Sequence, residues 1–417
     1  MASTCALAAL TLGIAACGDD DESDDGGTDG GTASGEVTIY SSLPKQGASR
    51  PNGLATEQGM ALAFNEAGNE AGGVNITFEG LDDATAQAGA WTPEAESANA
   101  RRAAQDESAV LYLGTFNSGA AAISIPLLNE AGLGMISPAN TAVGLTSDDP
   151  GADTEAGEPD VYYPTGERNY TRIVPKDTIQ GAALAKVMEE DGCTTVAILN
   201  DKEVYGAGLA TNIQTSLEEL GLEVTRNDGI DPKAPNYRSL ASDIESDGAD
   251  CFVYSGITAN NAVQLYKDVA ATVPDAKLYG PDGVAESTFY NPGEGGLPAD
   301  IASRVKVSVA TLDPNSYSEE GQKFFEDFEA EYNEPNPNPY AIYGYEAAQL
   351  ALDALERAED PTDRASVIEA LFATEDRDSV LGTYSIDENG DTTLTDYGIY
   401  TIKDGELAFE QKVEAAE

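Results

Sequence analysis

Twice along this chain, short apolar runs alternate with segments of helical spacing, and that repetition constrains the fold more than any bulk property does. In the first series "VTIYSS" (37–42), "VNITFEGLDD" (74–83), "AVLYLG" (109–114) and "LGMISP" (133–138) read as strands, separated by helical stretches at 57–68, 92–105 and 118–132. Thr92 is placed to cap the second of these helices, with Pro93 in its first turn. A polar loop spans 146–169. The alternation then restarts, with strands at 194–201, 222–226, 251–256 and 276–283 and helices at 206–219, 237–247 and 259–273. Strands alternating with helices imply parallel sheets with right-handed crossovers. Two such series predict an α/β fold of two doubly wound parallel-sheet lobes. From residue 305 the pattern runs strand ("VKVSVAT"), then helices over 318–333, 340–358 and 362–373. The tail alternates as antiparallel strands, with "ENGD" (388–391) as a hairpin turn.

A different signal precedes the alternation. Ala6 to Ala16 is apolar but too short to span a bilayer as a helix, and it suits the apolar core of a secretory leader. Ile14-Ala15-Ala16-Cys17 resembles a lipobox, the motif cleaved before a cysteine that is then lipidated at its sulfur; an ordinary leader with an incidental cysteine is the plainer alternative. Residues 1–5 hold no Lys or Arg, unlike the usual start of such a leader, so the natural start is expected upstream of Met1. Residues 18–35 are almost all Asp, Glu, Gly, Ser and Thr, which bury no apolar surface and read as an extended, disordered tether. The expected organisation is leader and lipidated Cys17 over 1–17, tether over 18–35, and a globular cargo held outside the cytoplasmic membrane.

The remaining roughly 380 residues suit two cores better than one. Lys plus Arg number 22 against 74 for Asp plus Glu, a formal charge of −52. Nucleic-acid affinity rests on cations set against phosphates, so nucleic acid is excluded as a partner. The same charge opposes lying on an anionic membrane and leaves only the lipid to hold the protein there. Cys193 and Cys251 fall in the cargo, each opening an apolar strand-like run. In an exported protein an even pair favours a disulfide, feasible if the two strands are parallel neighbours; two buried thiols are the alternative.

In open α/β sheets ligands bind beyond the carboxyl ends of the strands, which selects the residues to inspect. After the strand ending at Gly114 come Asn117 and Ser118 at a helix start, where unpaired backbone N–H groups favour an anion. After the strand ending at Pro138 come Ala139, Asn140 and Thr141. Ser118 and Thr141 together can hold a small carboxylate, although each residue type also serves simply as a helix cap. In the second series Asp282 follows a strand and can pair with an ammonium, or be an ordinary Pro-Asp-Gly turn. Tyr205 tops another strand and can close over an apolar group.

At these residues the chain resembles the type I periplasmic binding proteins of the branched-chain amino acid (leucine/isoleucine/valine) kind, the substrate-binding subunits of ABC importers. The matching stretches are "EGLDDATAQ", "YLGTFNSGAAAISIPLLNEAGLGMISPANT", "RIVPKDTIQGAALAKV", "VAILNDKEVYGAGLA", "LYGPDGV" and "YAIYGYEAAQLALDALE", in the expected order over nearly all of 36–410. The resemblance implies two lobes joined by three crossover segments, with 36–175 and 305–380 forming lobe 1 and 176–304 and 381–417 forming lobe 2. It also implies hinge closure around a small-molecule ligand, an amino acid, by a monomer that uses no cofactor and serves an ABC permease. Ser118 and Thr141, with backbone near Ala139, are then expected to hold the ligand's α-carboxylate, Tyr205 to line the pocket and Asp282 to take the α-ammonium.

Three departures from the leucine-type pattern stand out. Asp282 replaces a glutamate, Asn117 replaces a cysteine, and Ser255 lies near a position often aromatic. A Cys193–Cys251 bridge would therefore differ from the family's usual first-lobe disulfide.

Enzymatic function is disfavoured. The chain contains no histidine, the usual general base and commonest metal ligand. It has no GxSxG elbow, no P-loop and no CxxC. A lipid-anchored sensor subunit of the same fold, or a binder of small amides, is the alternative to the importer subunit.

Overall fold

The computed structural model describes residues 35–149, 154 and 156–415. The expected leader, the Cys17 attachment point and the tether through residue 34 lie outside the described residues.

Each strand–helix series builds its own sheet. The first comprises β1 (Gly35–Leu43), β2 (Glu70–Ala71) and β3 (Val74–Asp82), flanked by a small ribbon of β4 (Ala84–Thr85) and β5 (Ala90–Trp91). With β6 (Ala109–Gly114), β7 (Gly134–Ser137) and β8 (Tyr170–Arg172) the sheet has the order β2-β3-β1-β6-β7-β8. Its strands are connected by α1 (Arg50–Glu66), α2 (Pro93–Gln105) and α3 (Ser118–Glu130). The Thr92 hydroxyl caps α2 by accepting from Ala95 N, as the Thr-Pro start predicts.

The second sheet begins after α4 (Asp177–Glu190) and contains β9 (Thr195–Asn200), β10 (Glu223–Gly229), β11 (Cys251–Ser255), β12 (Lys277–Gly280), β13 (Val305–Val309), β14 (Asp396–Lys403) and β15 (Glu406–Glu414). Its order is β10-β9-β11-β12-β13-β14-β15, parallel as far as β13 and antiparallel beyond it. The interior strands β9 and β11 are nearly continuous apolar runs because helices cover both faces of a parallel sheet. The covering helices include α5 (Val204–Glu219), α6 (Arg238–Asp247), α7 (Ala262–Thr272) and the one-turn helices α8 (Ser287–Tyr290) and α9 (Ala299–Ala302).

Three more helices, α10 (Glu319–Tyr332), α11 (Ala341–Arg357) and α12 (Arg364–Phe372), pack back on the first lobe, α11 against α1 and α12 against β6 and β7. The α1–α11 contact depends on two glycines. A Cβ on Gly59 would lie 2.0 Å from Ala341 O, and one on Gly344 would lie 1.9 Å from Thr56 O. The helix backbones touch where those side chains are missing, which is why α1 tolerates an interior glycine despite its propensity cost.

The described chain passes between the two sheets three times: from β8 to α4, from β13 to α10 and from α12 to β14. Two expected boundaries are corrected. Residues 381–395, expected in the second lobe, stay with the first, where Tyr384 OH donates to Glu346 of α11 and Arg172 N of β8 donates to Gly390 O, and the chain joins the second sheet only at Asp396. Residues 305–309 do not return to the first lobe; Val305–Val309 pairs in parallel with β12 and antiparallel with β14 as an interior strand of the second sheet. Its alternating valines demand a buried strand position, but nothing local to them specifies which sheet supplies it.

The tail also differs in detail. Residues 387–391 do form a turn, closed by Asp387 N donating to Asp391 O, but it is flanked by a single bridge between Ile386 and Thr392. The long hairpin is β14–β15, which turns at Asp404-Gly405.

Parallel pairing of β9 with β11 sets Cys251 opposite Val196, so Cys193, just ahead of β9, lies beside it. Their Cα atoms are 5.9 Å apart and their sulfurs are bonded.

Candidate functional site

Strand register assembles the first half of the site. Gly114 at the end of β6 pairs with Ser42 of β1, and Leu113 pairs with Ile136 of β7, so the loops after β6 and β7 emerge side by side. Asn140 stitches them together: its amide donates to Thr115 O at 2.9 Å and Phe116 O at 3.0 Å. Ser137 Oγ adds a bond to Thr115 O at 3.1 Å. Ser118 opens α3 and its hydroxyl accepts from Ala142 N at 3.3 Å, so Ser118 and the Ala139–Thr141 loop face each other.

A buried arginine fixes that loop from behind. Arg172, 1% exposed at its side chain, donates through Nη1 to Asn140 O at 3.2 Å and Ala142 O at 2.7 Å. Its Nε pairs with Asp391 Oδ1 at 2.6 Å, and Nη2 bonds Thr146. The turn at 387–391 therefore supplies the carboxylate that keeps this guanidinium in place, and Asp391 is held below the ordinary carboxylate range by the Arg172 charge despite its burial. Arg172 is thereby unavailable to a ligand; it positions the loop that is.

The second sheet contributes the acid side. Asp282 follows β12 and is buried, with Oδ1 accepting from Gln180 Nε2 at 2.6 Å and from Tyr205 OH at 2.7 Å. Its Oδ2 accepts from Tyr340 OH. Burial raises the Asp282 pKa, opposed by the three donors. Tyr205 lies in the first turn of α5, near enough to accept from Gly283 N at 3.4 Å. Ser255 ends β11, fully buried, and its Oγ has no hydrogen-bond partner in the protein. The structure thus sets Ser118 against the Ala139–Thr141 loop in the first lobe and Tyr205 against Asp282 in the second, with Tyr340 of the first lobe bonded to Asp282; Asn117 precedes Ser118 at the start of α3, and Ser255 ends β11.

Three members of this constellation escaped the sequence reading. Asp177 begins α4; its N–H donates to Thr141 O at 2.8 Å, while both of its carboxylate oxygens are buried and unpartnered. Burial pushes its carboxyl up to about 8, the nearby Thr141 hydroxyl opposing and the Asp282 charge adding to the rise. Gln180 lies one turn along the same helix, on the same face. Tyr340 precedes α11 and reaches across from the first lobe, its ring set edge-on against Phe116 with centroids 4.7 Å apart. An acid three residues ahead of a glutamine, "DTIQ" after "VPK", is the one local signal for the first two.

Other bonds close the cleft around these groups. Trp91 Nε1 in the first lobe donates to Glu203 Oε2 in the second at 3.1 Å, and Thr288 Oγ1 donates to Ala48 O at 2.8 Å. Asn52 Nδ2 reaches Glu286 Oε1 at 3.2 Å, and burial pushes the Glu286 carboxyl up to about 7. Two cations near the acid groups in sequence are engaged elsewhere: Arg172 with Asp391, and Lys176 with Asp149 at 2.6 Å. The arrangement can bind a small zwitterion, hydroxyls and a helix N-terminus at one end and carboxylates at the other.

Comparison with known proteins bears on the family and the fold. Residues 36–406 match the family model described as periplasmic binding protein. A Leu/Ile/Val-binding protein of Rhizobium johnstonii is 25% identical over 378 residues, covering 90% of this chain and 94% of that protein. A leucine-, isoleucine-, valine-, threonine- and alanine-binding protein of Pseudomonas aeruginosa is 25% identical over 374 residues, covering 88% and 90%. Among solved structures, a leucine-binding protein of Thermotoga maritima superposes with TM-score 0.78 at 21% identity, covering 91% of this chain and 99% of the other. A solute-binding protein from R. palustris, in complex with benzoate, gives 0.74 at 20% identity, covering 92% and 97%.

Proposed function

The chain belongs to the periplasmic binding protein family, and from that premise we propose that it captures an α-amino acid between its two lobes and delivers it to an ABC permease. The family is extracytoplasmic and binds solutes without chemical turnover. The mechanism is capture and closure. The Ser118 and Thr141 hydroxyls, with backbone N–H groups of the Ala139 loop and the α3 start, take the carboxylate. Asp282 and Asp177 take the ammonium, and Tyr205 and Tyr340 cover the ligand from opposite lobes. Closing the lobes removes water from these ion pairs and strengthens them.

One observation carries this reading. Donors of one lobe and carboxylates of the other are buried together, and neither Thr141 Oγ1 nor either Asp177 oxygen makes a well-formed hydrogen bond, although the Thr141 hydroxyl lies close enough to Asp177 to oppose its raised pKa. Unpaired buried polar atoms are costly, and a ligand with matching groups removes the cost. Lipidation at Cys17, read from the Ile14-Ala15-Ala16-Cys17 motif, supplies the membrane attachment in this reading. The protein acts as a monomer.

A thermal-shift screen of residues 36–417 against the common amino acids tests the reading. A ligand at 100 times its Kd adds about 2.7 kcal/mol, which raises the Tm of a domain pair this size by about 3 °C. Shifts given only by molecules that lack an ammonium would overturn the roles of Asp177 and Asp282.

A further inference from the structure

We propose that the ligand is an α-amino acid whose side chain itself bears an N–H donor, an amide or a cationic group, in preference to the aliphatic branched-chain amino acids. The inference rests on the reading above, that an α-amino acid occupies the cleft, and adds the class of its side chain.

The argument starts from what an amino acid's backbone groups leave unpaired. A carboxylate at Ser118 and Thr141 and an ammonium at Asp177 and Asp282 use the groups already described. Three further buried atoms then stand without a partner: Asn117 Oδ1, Gln180 Oε1 and Ser255 Oγ. The two amide oxygens can only accept, and the Ser255 hydroxyl can accept as well as donate. Gln180 commits its amide nitrogen to Asp282 and to Ser308 Oγ at 3.0 Å, so its oxygen is left to accept. Asn117 occupies the N-cap position of α3, where an asparagine normally accepts from its own helix, yet its side chain makes no capping bond. The Asn117 amide oxygen is therefore left for another partner. Ser255 ends its strand with a buried, unpaired hydroxyl, next to Gly256, whose carbonyl abuts Gly283 beside Asp282.

Charge points the same way. Asp177, Asp282 and Glu286 bring three buried carboxyl groups to one cleft, and Arg172 and Lys176 are paired elsewhere. An aliphatic side chain leaves every one of these acceptors dry. A site that presents buried hydrogen-bonding groups rejects an analogue that cannot pair with them far more strongly than an apolar pocket rejects a polar isostere. A side chain ending in an amide, ammonium or guanidinium satisfies them.

Isothermal titration of residues 36–417 with asparagine, glutamine, ornithine, lysine and arginine, beside leucine, isoleucine and valine, decides the matter. The expected result is that one of the first five binds at least tenfold more tightly than the best of the last three. Branched-chain affinity equal to or above all five overturns the inference while leaving the amino-acid reading intact. Failure of every α-amino acid overturns that reading as well. Asn117→Leu, checked for a native circular dichroism spectrum, should lower the preference for the best N–H-bearing ligand over leucine at least fivefold. An unchanged preference in this variant and in Ser255→Ala would also refute the inference.

Discussion

The single tryptophan of the chain offers a direct reading of lobe closure. Trp91 projects from the first lobe and donates to Glu203 in the second, where Asn260 Nδ2 holds the other carboxylate oxygen at 2.8 Å. Opening the cleft replaces this bond with water. A hydrogen bond to a charged, largely desolvated acceptor is worth about 1.5–3 kcal/mol, and the partial exposure of Trp91 argues for the low end, about 1.5 kcal/mol. If that energy is present only in the closed state, its loss weakens ligand binding about tenfold. The Thr288–Ala48 and Asn52–Glu286 bonds remain, so closure is shifted and not abolished. The experiment is a double-mutant cycle of Trp91→Phe and Glu203→Ala, titrated calorimetrically with the amino acid found by the screen. Each single change should cost about tenfold, and the pair should cost no more than either alone, because both remove one bond. In the unaltered protein, ligand should shift tryptophan emission to the blue as the indole leaves water. Losses that multiply in the double variant, or an emission spectrum indifferent to ligand, would refute the claim that this contact belongs to closure.

Asp282→Asn keeps the shape but removes the charge, and should weaken α-amino acid binding at least a hundredfold by calorimetry; affinity within threefold of the original would take Asp282 out of the site. Arg172→Met leaves the buried Asp391 with only the longer contact to Lys176 at 3.6 Å and the Thr146 hydroxyl, and should cost about 3 kcal/mol in urea unfolding; a cost under 1 kcal/mol would deny the arginine its positioning role. The Cys193–Cys251 bridge closes a separation of 58 residues, so reduction should lower the unfolding free energy by about 4 kcal/mol, checked by urea melts with and without reductant. Burial pushes Glu96 from 4.5 up to about 7, so the folded chain retains a proton the unfolded chain gives up, and this contribution is full below about 4.5 and lost as the pH rises to about 7. Glu96→Gln should accordingly flatten the fall in stability between pH 5 and 7 by about 1.4 kcal/mol per pH unit, and an unchanged slope in urea midpoints would count against the buried proton.

What could be read from the sequence, and what could not, divides along a physical line. Strand–helix alternation fixes the direction of each parallel strand, and direction alone tells which residues reach the binding edge. Ser118, Thr141, Tyr205 and Asp282 were accessible to that argument because each follows a strand by a few residues. Which sheet a strand joins is a long-range choice, so Val305–Val309 was placed in the wrong lobe although its identity as a strand was plain. Asp177, Gln180 and Tyr340 were missed for a related reason. None follows a strand within its own lobe: Asp177 and Gln180 come just after the first crossing, and Tyr340 precedes α11 in the segment packed back from the second. An acid in the first turn of a helix also has an innocent explanation, since it complements the helix dipole. The rule that finds strand tips is therefore blind to groups carried by the crossings. Those groups lie on the crossings between the lobes, and Asp177 shows the consequence: its N–H holds Thr141 of one lobe while its carboxyl is close enough to Asp282 of the other to be raised by its charge. On the proposed reading, a ligand ammonium that engages Asp177 and Asp282 together would act on a crossing between the lobes, so that its binding energy would bear on their closure.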